Sequence, residues 1–176
     1  MSIESKIAAM LQGGMASEFR DAGPYLRLTN RRVLLANAAR VWVDPRVAGG
    51  TTMLPLGDPG IREGLQRILG DQQIQCGERL DRLCPKTGKR VLMKRLEPYS
   101  STRAEVWELR SFDPAVRLFG FFLGKGDIVF THGSNKDFSK SDNQYEEQMK
   151  FCETIRTYLG FDDADVCQFP SVHDYF

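Results

Sequence analysis

Within one short stretch, Arg110, Arg117, His132 and Lys136 carry the functional groups that a phosphodiester demands. Cleaving RNA through its own 2′-hydroxyl needs a base for that proton and an acid for the departing 5′-oxygen. It also needs cations to stabilise the charge growing on phosphorus. The guanidinium groups of Arg110 and Arg117 can each bind two phosphate oxygens at once, and Lys136 adds an ammonium. His132 is the acid/base candidate, because an imidazole with its ordinary pKa of about 6.5 serves either role at neutral pH. Each has an ordinary structural reading as well: His132 follows the alternation of Ile128 and Phe130, and the arginines can pair with Glu105 or Glu108. A second ring of candidates for RNA contact is Lys94, Arg95, Tyr99 and Arg103. Tyr99 could stack on a base. Lys94 and Arg95 are consecutive on one strand, so only one of them can face a shared site.

These groups need a scaffold, and the pattern around them supplies one. Val106–Ser111 alternates Trp107 and Leu109 with Glu108 and Arg110, as a half-buried strand does. A turn at Phe112-Asp113-Pro114-Ala115 leads to the almost wholly apolar run Val116–Leu123, interrupted only by Arg117. Gly124-Lys125-Gly126 turns the chain again, into a third strand on which Ile128, Phe130 and His132 are expected to share one face. Arg90–Leu96 reads as a further strand, with a polar loop over Pro98–Arg103.

Helices are expected on both sides of this meander. Ser2 can cap a helix over residues 2–12 that Gly13 and Gly14 end. Asp58-Pro59 starts another, with Ile61, Leu65, Ile68 and Leu69 at helical spacing. After Gly70 a second segment to about Leu83 would complete a helical hairpin. The last helix begins at a capping box, Ser141 with Gln144, and carries the stripe Tyr145, Met149, Cys152, Ile155 and Leu159 up to Gly160. Tyr25–Val43 reads as one or two strands, Pro45–Gly57 as a long loop, and the acidic residues 161–176 as a surface tail.

Charge is unevenly spread along the 176 residues. Between Lys86 and Lys140 eleven Lys/Arg face six Asp/Glu, whereas from Ser141 onward two face eight. A basic middle and an acidic end suit an anion-binding face with an acidic segment nearby. Cys76, Cys84, Cys152 and Cys167 form no paired metal-knuckle spacing, and His132 and His173 lie far from any cysteine pair, so no metal is expected. Gly120, Gly124 and Gly126 sit in or between strands rather than before a helix, which leaves no phosphate loop and no cofactor to expect. No apolar run reaches membrane-spanning length, and the early acid Glu4 fits a signal peptide poorly, so a cytoplasmic location is the expectation.

The order of helical hairpin, Trp107-Glu108-Leu109-Arg110, then Val116-Arg117-Leu118-Phe119-Gly120-Phe121-Phe122, then Ile128–Gly133 through Lys136 and a helix resembles the RelE/HigB-like toxin family, particularly its phage-derived branch, over about residues 59–159. That resemblance implies an α+β fold: a twisted antiparallel sheet with a helical hairpin and a closing C-terminal helix. It divides the chain into an N-terminal extension (1–58), a RelE-like domain (59–160) and an acidic tail (161–176). It also implies a metal-independent, ribosome-dependent mRNA endoribonuclease, with His132, Arg110, Arg117 and Lys136 at its centre and an antitoxin as protein partner. Two departures are plain: Asp137 follows Lys136 where the family carries a basic tract, and the closing helix bears Glu146, Glu147 and Glu153 where the family's is basic. They favour an alternative, a non-catalytic module on the same fold that binds nucleic acid or protein.

Overall fold

A computed structural model describes residues 1–21, 23, 30–44, 59–70, 74–96, 104–112, 116–135 and 142–176. Its spine is a seven-stranded sheet. In chain order the strands are β1 (Ala16–Phe19), β2 (Arg32–Ala36), β3 (Cys76–Glu78), β4 (Met93–Leu96), β5 (Val106–Arg110), β6 (Val116–Gly124) and β7 (Asp127–Asn135). Across the sheet they lie in the order β1-β2-β7-β6-β5-β4-β3. The near-continuous apolar run of β6 is buried from Val116 to Leu123, as a strand covered on both faces requires.

Two layers of helix cover that sheet. On one face lie α2 (Asn37–Val43) and α3 (Pro59–Gly70), whose Ala39, Val43, Ile61, Leu65, Ile68 and Leu69 join Trp107, Leu118, Phe122 and Phe130 in one core. On the other lie α1 (Ile3–Gln12) and α4 (Asp142–Tyr158), bringing Ile7, Met10, Met149 and Cys152 against Leu34, Phe119, Phe121 and Val129. Ser2 caps α1 by accepting from the Ser5 N–H at 3.2 Å. No helix among the described residues is long and apolar enough to cross a membrane.

The fold is α+β, with four corrections to the sequence reading. The sheet is mixed rather than antiparallel throughout: β2 runs parallel to β7, and β3 parallel to β4. β2 tolerates this interior place because Val33 and Leu35 are buried on one face, Leu34 and Ala36 on the other. The N-terminal segment thus adds two strands to the common sheet. Second, residues 37–43, expected as strand, form α2, whose Ala39 and Val43 bury a helical face against the sheet. Third, the second helix of the hairpin does not form: Cys76–Glu78 is strand and a turn follows. Gly77 packs so tightly that a Cβ there would stand 2.8 Å from Asp81 and 2.9 Å from Val91.

Fourth, the C-terminal segment is no surface tail. Tyr175 is wholly buried against Trp107 and Phe122, and its backbone carbonyl accepts from Gly126 N–H at 2.7 Å. The segments read as the 45–57 loop, the Pro98–Arg103 loop, the Asp113–Ala115 turn, and the caps Asp58 and Ser141 lie outside the described residues.

Candidate nucleic-acid interface

Strand pairing brings the basic residues together. Arg110 on β5 stands directly opposite Arg117 on β6, and Lys94 on β4 opposite Glu108 on β5. All four project to the face that α4 covers. On regular alternation His132 would face away from them, with Ile128 and Phe130. It does not, because the β6–β7 register slips: Phe119 pairs with His132 but Gly120 with Phe130, leaving Thr131 as the extra residue of a bulge. The bulge turns the imidazole to the α4 side, where it stacks on Phe119 with centroids 5.1 Å apart. Gly120 makes the slip feasible, since a Cβ there would lie 2.3 Å from the Val129 carbonyl oxygen.

At the centre of the cluster is Glu108, 1% exposed. Its Oε1 lies 3.2 Å from Arg110 Nε and 3.2 Å from Arg117 Nε. Neither carboxylate oxygen and neither Nε has a well-aligned hydrogen bond, so these contacts are ionic. Arg117, 2% exposed, spends its Nη1 on the carbonyls of Ser111 and Val116, at 2.8 and 2.9 Å. Lys94 Nζ donates to the Arg79 carbonyl at 2.6 Å. Among the described residues, Lys94, Arg110 and Arg117 share Glu108, with Asp81 a second carboxylate acting on Lys94, so positive charge remains in excess. Burial, together with the neighbouring Arg110 and Arg117, pulls the Lys94 ammonium down to about 8 against the pull of Glu108 and Asp81. Burial likewise lowers Arg110.

His132 is sealed under α4. It is 3% exposed, with Nε2 3.0 Å from Gln148 Oε1, Nδ1 2.9 Å from Thr131 Oγ1, and the Phe151 ring against its edge. Burial pushes its pKa down to about 4, the Gln148 hydrogen bond opposing this. At neutral pH it is an uncharged ring with both nitrogens engaged. That geometry suits a packed polar residue better than a general acid or base, which must reach a substrate proton.

Arg110 reaches the surface at the end of the sheet. There it lines a cleft of about 340 Å³ with Glu63, Arg67, Lys89, Arg90, Ser111 and Phe112 among others. Arg90 lies over the Phe112 ring at 3.8 Å and Arg110 at 5.2 Å. Among the described residues four cations and one carboxylate line this rim, with Arg67 engaged by Glu63 at 2.9 Å. The strand expected from Arg90 begins only at Met93, and for Lys89 only its place in a basic run hints at the rim.

Of the remaining candidates, Arg95 points to the opposite face. It donates to Glu78 Oε1 at 2.5 Å and to the Phe169 carbonyl at 2.7 Å, as its position beside Lys94 on one strand demands. Lys136, Tyr99 and Arg103 lie outside the described residues. Comparison with protein-family models, curated proteins and solved structures finds no match to this chain.

Proposed function

We propose that the chain is a non-catalytic nucleic-acid-binding module that grips an RNA phosphate backbone at the rim of Arg110, Arg90 and Lys89. The observation that carries this reading is the cationic cleft at the sheet end, where the partly exposed Arg110 side chain backs onto a buried cluster already rich in positive charge. Phosphate groups arriving there would neutralise charge that Glu108 alone does not balance. The test is binding of fluorescein-labelled single-stranded RNA, followed across a salt series by polarisation. Lys89→Ala and Arg90→Ala should each lower the salt slope by about 1, and the RNA should stay intact with and without ribosomes. Absence of binding overturns the reading.

A second reading, an mRNA endoribonuclease of the RelE/HigB type with an antitoxin partner, is favoured by the convergence of Lys94, Arg110, Arg117 and His132 on one sheet face. Ribosome-dependent cleavage that disappears in His132→Gln would select it over the binding module.

A further inference from the structure

Among the described residues, Glu63 is the one acid that lines the cationic cleft. It stands on α3 in a row with Gly60, Gly64 and Arg67, which line the cleft beside it. Spaced at i, i+3, i+4 and i+7, these four share one helical face. The two glycines contribute no side chain, so Glu63 and Arg67 alone project from that wall. Arg67 donates to Glu63 Oε1 through Nε at 3.2 Å and through Nη2 at 2.9 Å. Among the described residues, Oε2 of the same carboxylate has no partner.

In a cleft that took phosphate alone, a carboxylate would repel every phosphate oxygen. Nor does stability account for it, since an exposed i,i+4 ion pair on a helix contributes little. A carboxylate is useful there when the ligand turns hydrogen-bond donors toward it. Of the four RNA bases only guanine sets two donors side by side on its pairing edge, N1–H and the 2-amino group. Adenine and cytosine offer one amino group beside a ring-nitrogen acceptor, and uracil one N–H between two carbonyls. We infer that the cleft takes one guanine nucleotide of a single-stranded RNA. Glu63 accepts from guanine N1–H and the 2-amino group, while Arg110, Arg90 and Lys89 hold the flanking phosphates. This inference rests on the RNA-binding reading above and adds a base preference to it.

The rest of the lining fits this occupant. The volume of about 340 Å³ lies at the small end of the range for ligand sites, with room for one nucleotide and not for a run of them. Arg90, exposed, is held over the Phe112 ring at 3.8 Å. A guanidinium anchored in this way offers its outer face to a base, which stacks on it as on an aromatic ring.

Arg67 acts here as a positioning residue. Its two N–H groups meet on one oxygen and fix the rotation of the carboxylate, leaving Oε2 for the base. Oε1 can serve as well, because an ionised carboxylate has about four acceptor sites. A hydrogen bond to a charged acceptor is stronger than one between neutral groups, so the guanine contact outweighs the single one that adenine or cytosine can make. The cations fix where the backbone lies, and Glu63 selects the base.

Fluorescence polarisation of the full chain with labelled uridine tracts tests the inference. The tracts carry guanosine, inosine, adenosine or cytidine at one central place; inosine keeps N1–H and lacks the 2-amino group. The wild-type chain should bind the guanosine tract about ten-fold more tightly than the adenosine tract, and several-fold more tightly than the inosine tract. Glu63→Gln should bring the guanosine-to-inosine ratio close to one, a change that a merely structural role for Glu63 would not produce. Equal affinity of the wild-type chain for all the tracts would overturn guanine recognition while the RNA-binding reading stood. No binding to any tract would overturn both. A guanosine preference unchanged in Glu63→Gln would overturn the role of Glu63.

Discussion

Glu108 on β5 and Arg117 on β6 face each other at 3.2 Å, Oε1 to Nε, with almost none of either side chain reaching water. A pair so placed is costly to assemble and costlier to break, because the surviving charge is left in a medium that cannot solvate it. Glu108→Gln should therefore destabilise the chain by about 3–5 kcal/mol. The double replacement Glu108→Leu with Arg117→Met should lose less than that. Urea unfolding of the three proteins reads the difference, and a double variant weaker than the single one would contradict the account.

His132 couples the same interior to pH. Its folded pKa of about 4 lies below the ordinary 6.5, so between those values the unfolded chain binds more protons than the folded one. Stability should be full above pH 6.5 and decline as the pH falls toward 4. The ceiling on this effect is about 3 kcal/mol. His132→Gln should flatten the decline in that window, whatever it does to stability at pH 7. The measurement is the urea midpoint at each pH.

Lys94 titrates in the opposite direction from neutrality. Its ammonium adds to the positive field behind the Arg110 rim, so RNA affinity should weaken as the pH rises through about 8. Fold stability should move the other way: between about 8 and the ordinary 10.5 the unfolded chain holds more protons, and stability rises with pH. Lys94→Gln should remove the pH slope of RNA binding over this interval. Persistence of the slope in that variant would assign it to another group.

Gly120 and Gly133 offer a graded test of close packing. A Cβ at Gly120 meets backbone, the Val129 carbonyl oxygen, whereas at Gly133 it meets the Trp42 ring at 2.5 Å. A ring on α2 can shift, and overpacking of that kind costs about 1–3 kcal/mol. Gly133→Ala should fall in that range, and Gly120→Ala should exceed it because the sheet itself must move. Thermal melts of the two variants check the order.

The sequence showed what depends on neighbours along the chain. α1, α3 and α4 were legible from apolar residues at helical spacing, and β5, β6 and β7 from alternation and glycine turns. The conjunction of Arg110 and Arg117 followed from their hairpin. What it hid depends on distant residues. Residues 37–43 are apolar enough to suit either period, and only the sheet they pack on selects helix. The bulge at Thr131 is set by Gly120 on the neighbouring strand, so alternation placed His132 on the wrong face. The parallel pairing of β2 with β7 leaves no local mark at all.

That last pairing has a consequence for how the molecule is made. Arg32 on β2 and Asp127 on β7 are 95 residues apart in the chain, yet they are neighbours across the sheet, their side chains joined at 2.6 Å. During synthesis the β1–β2 ribbon leaves the ribosome long before its partner exists, with one apolar edge open to any other strand. Closure waits until β7 at Asp127–Asn135 has been made, which makes this a slow topology.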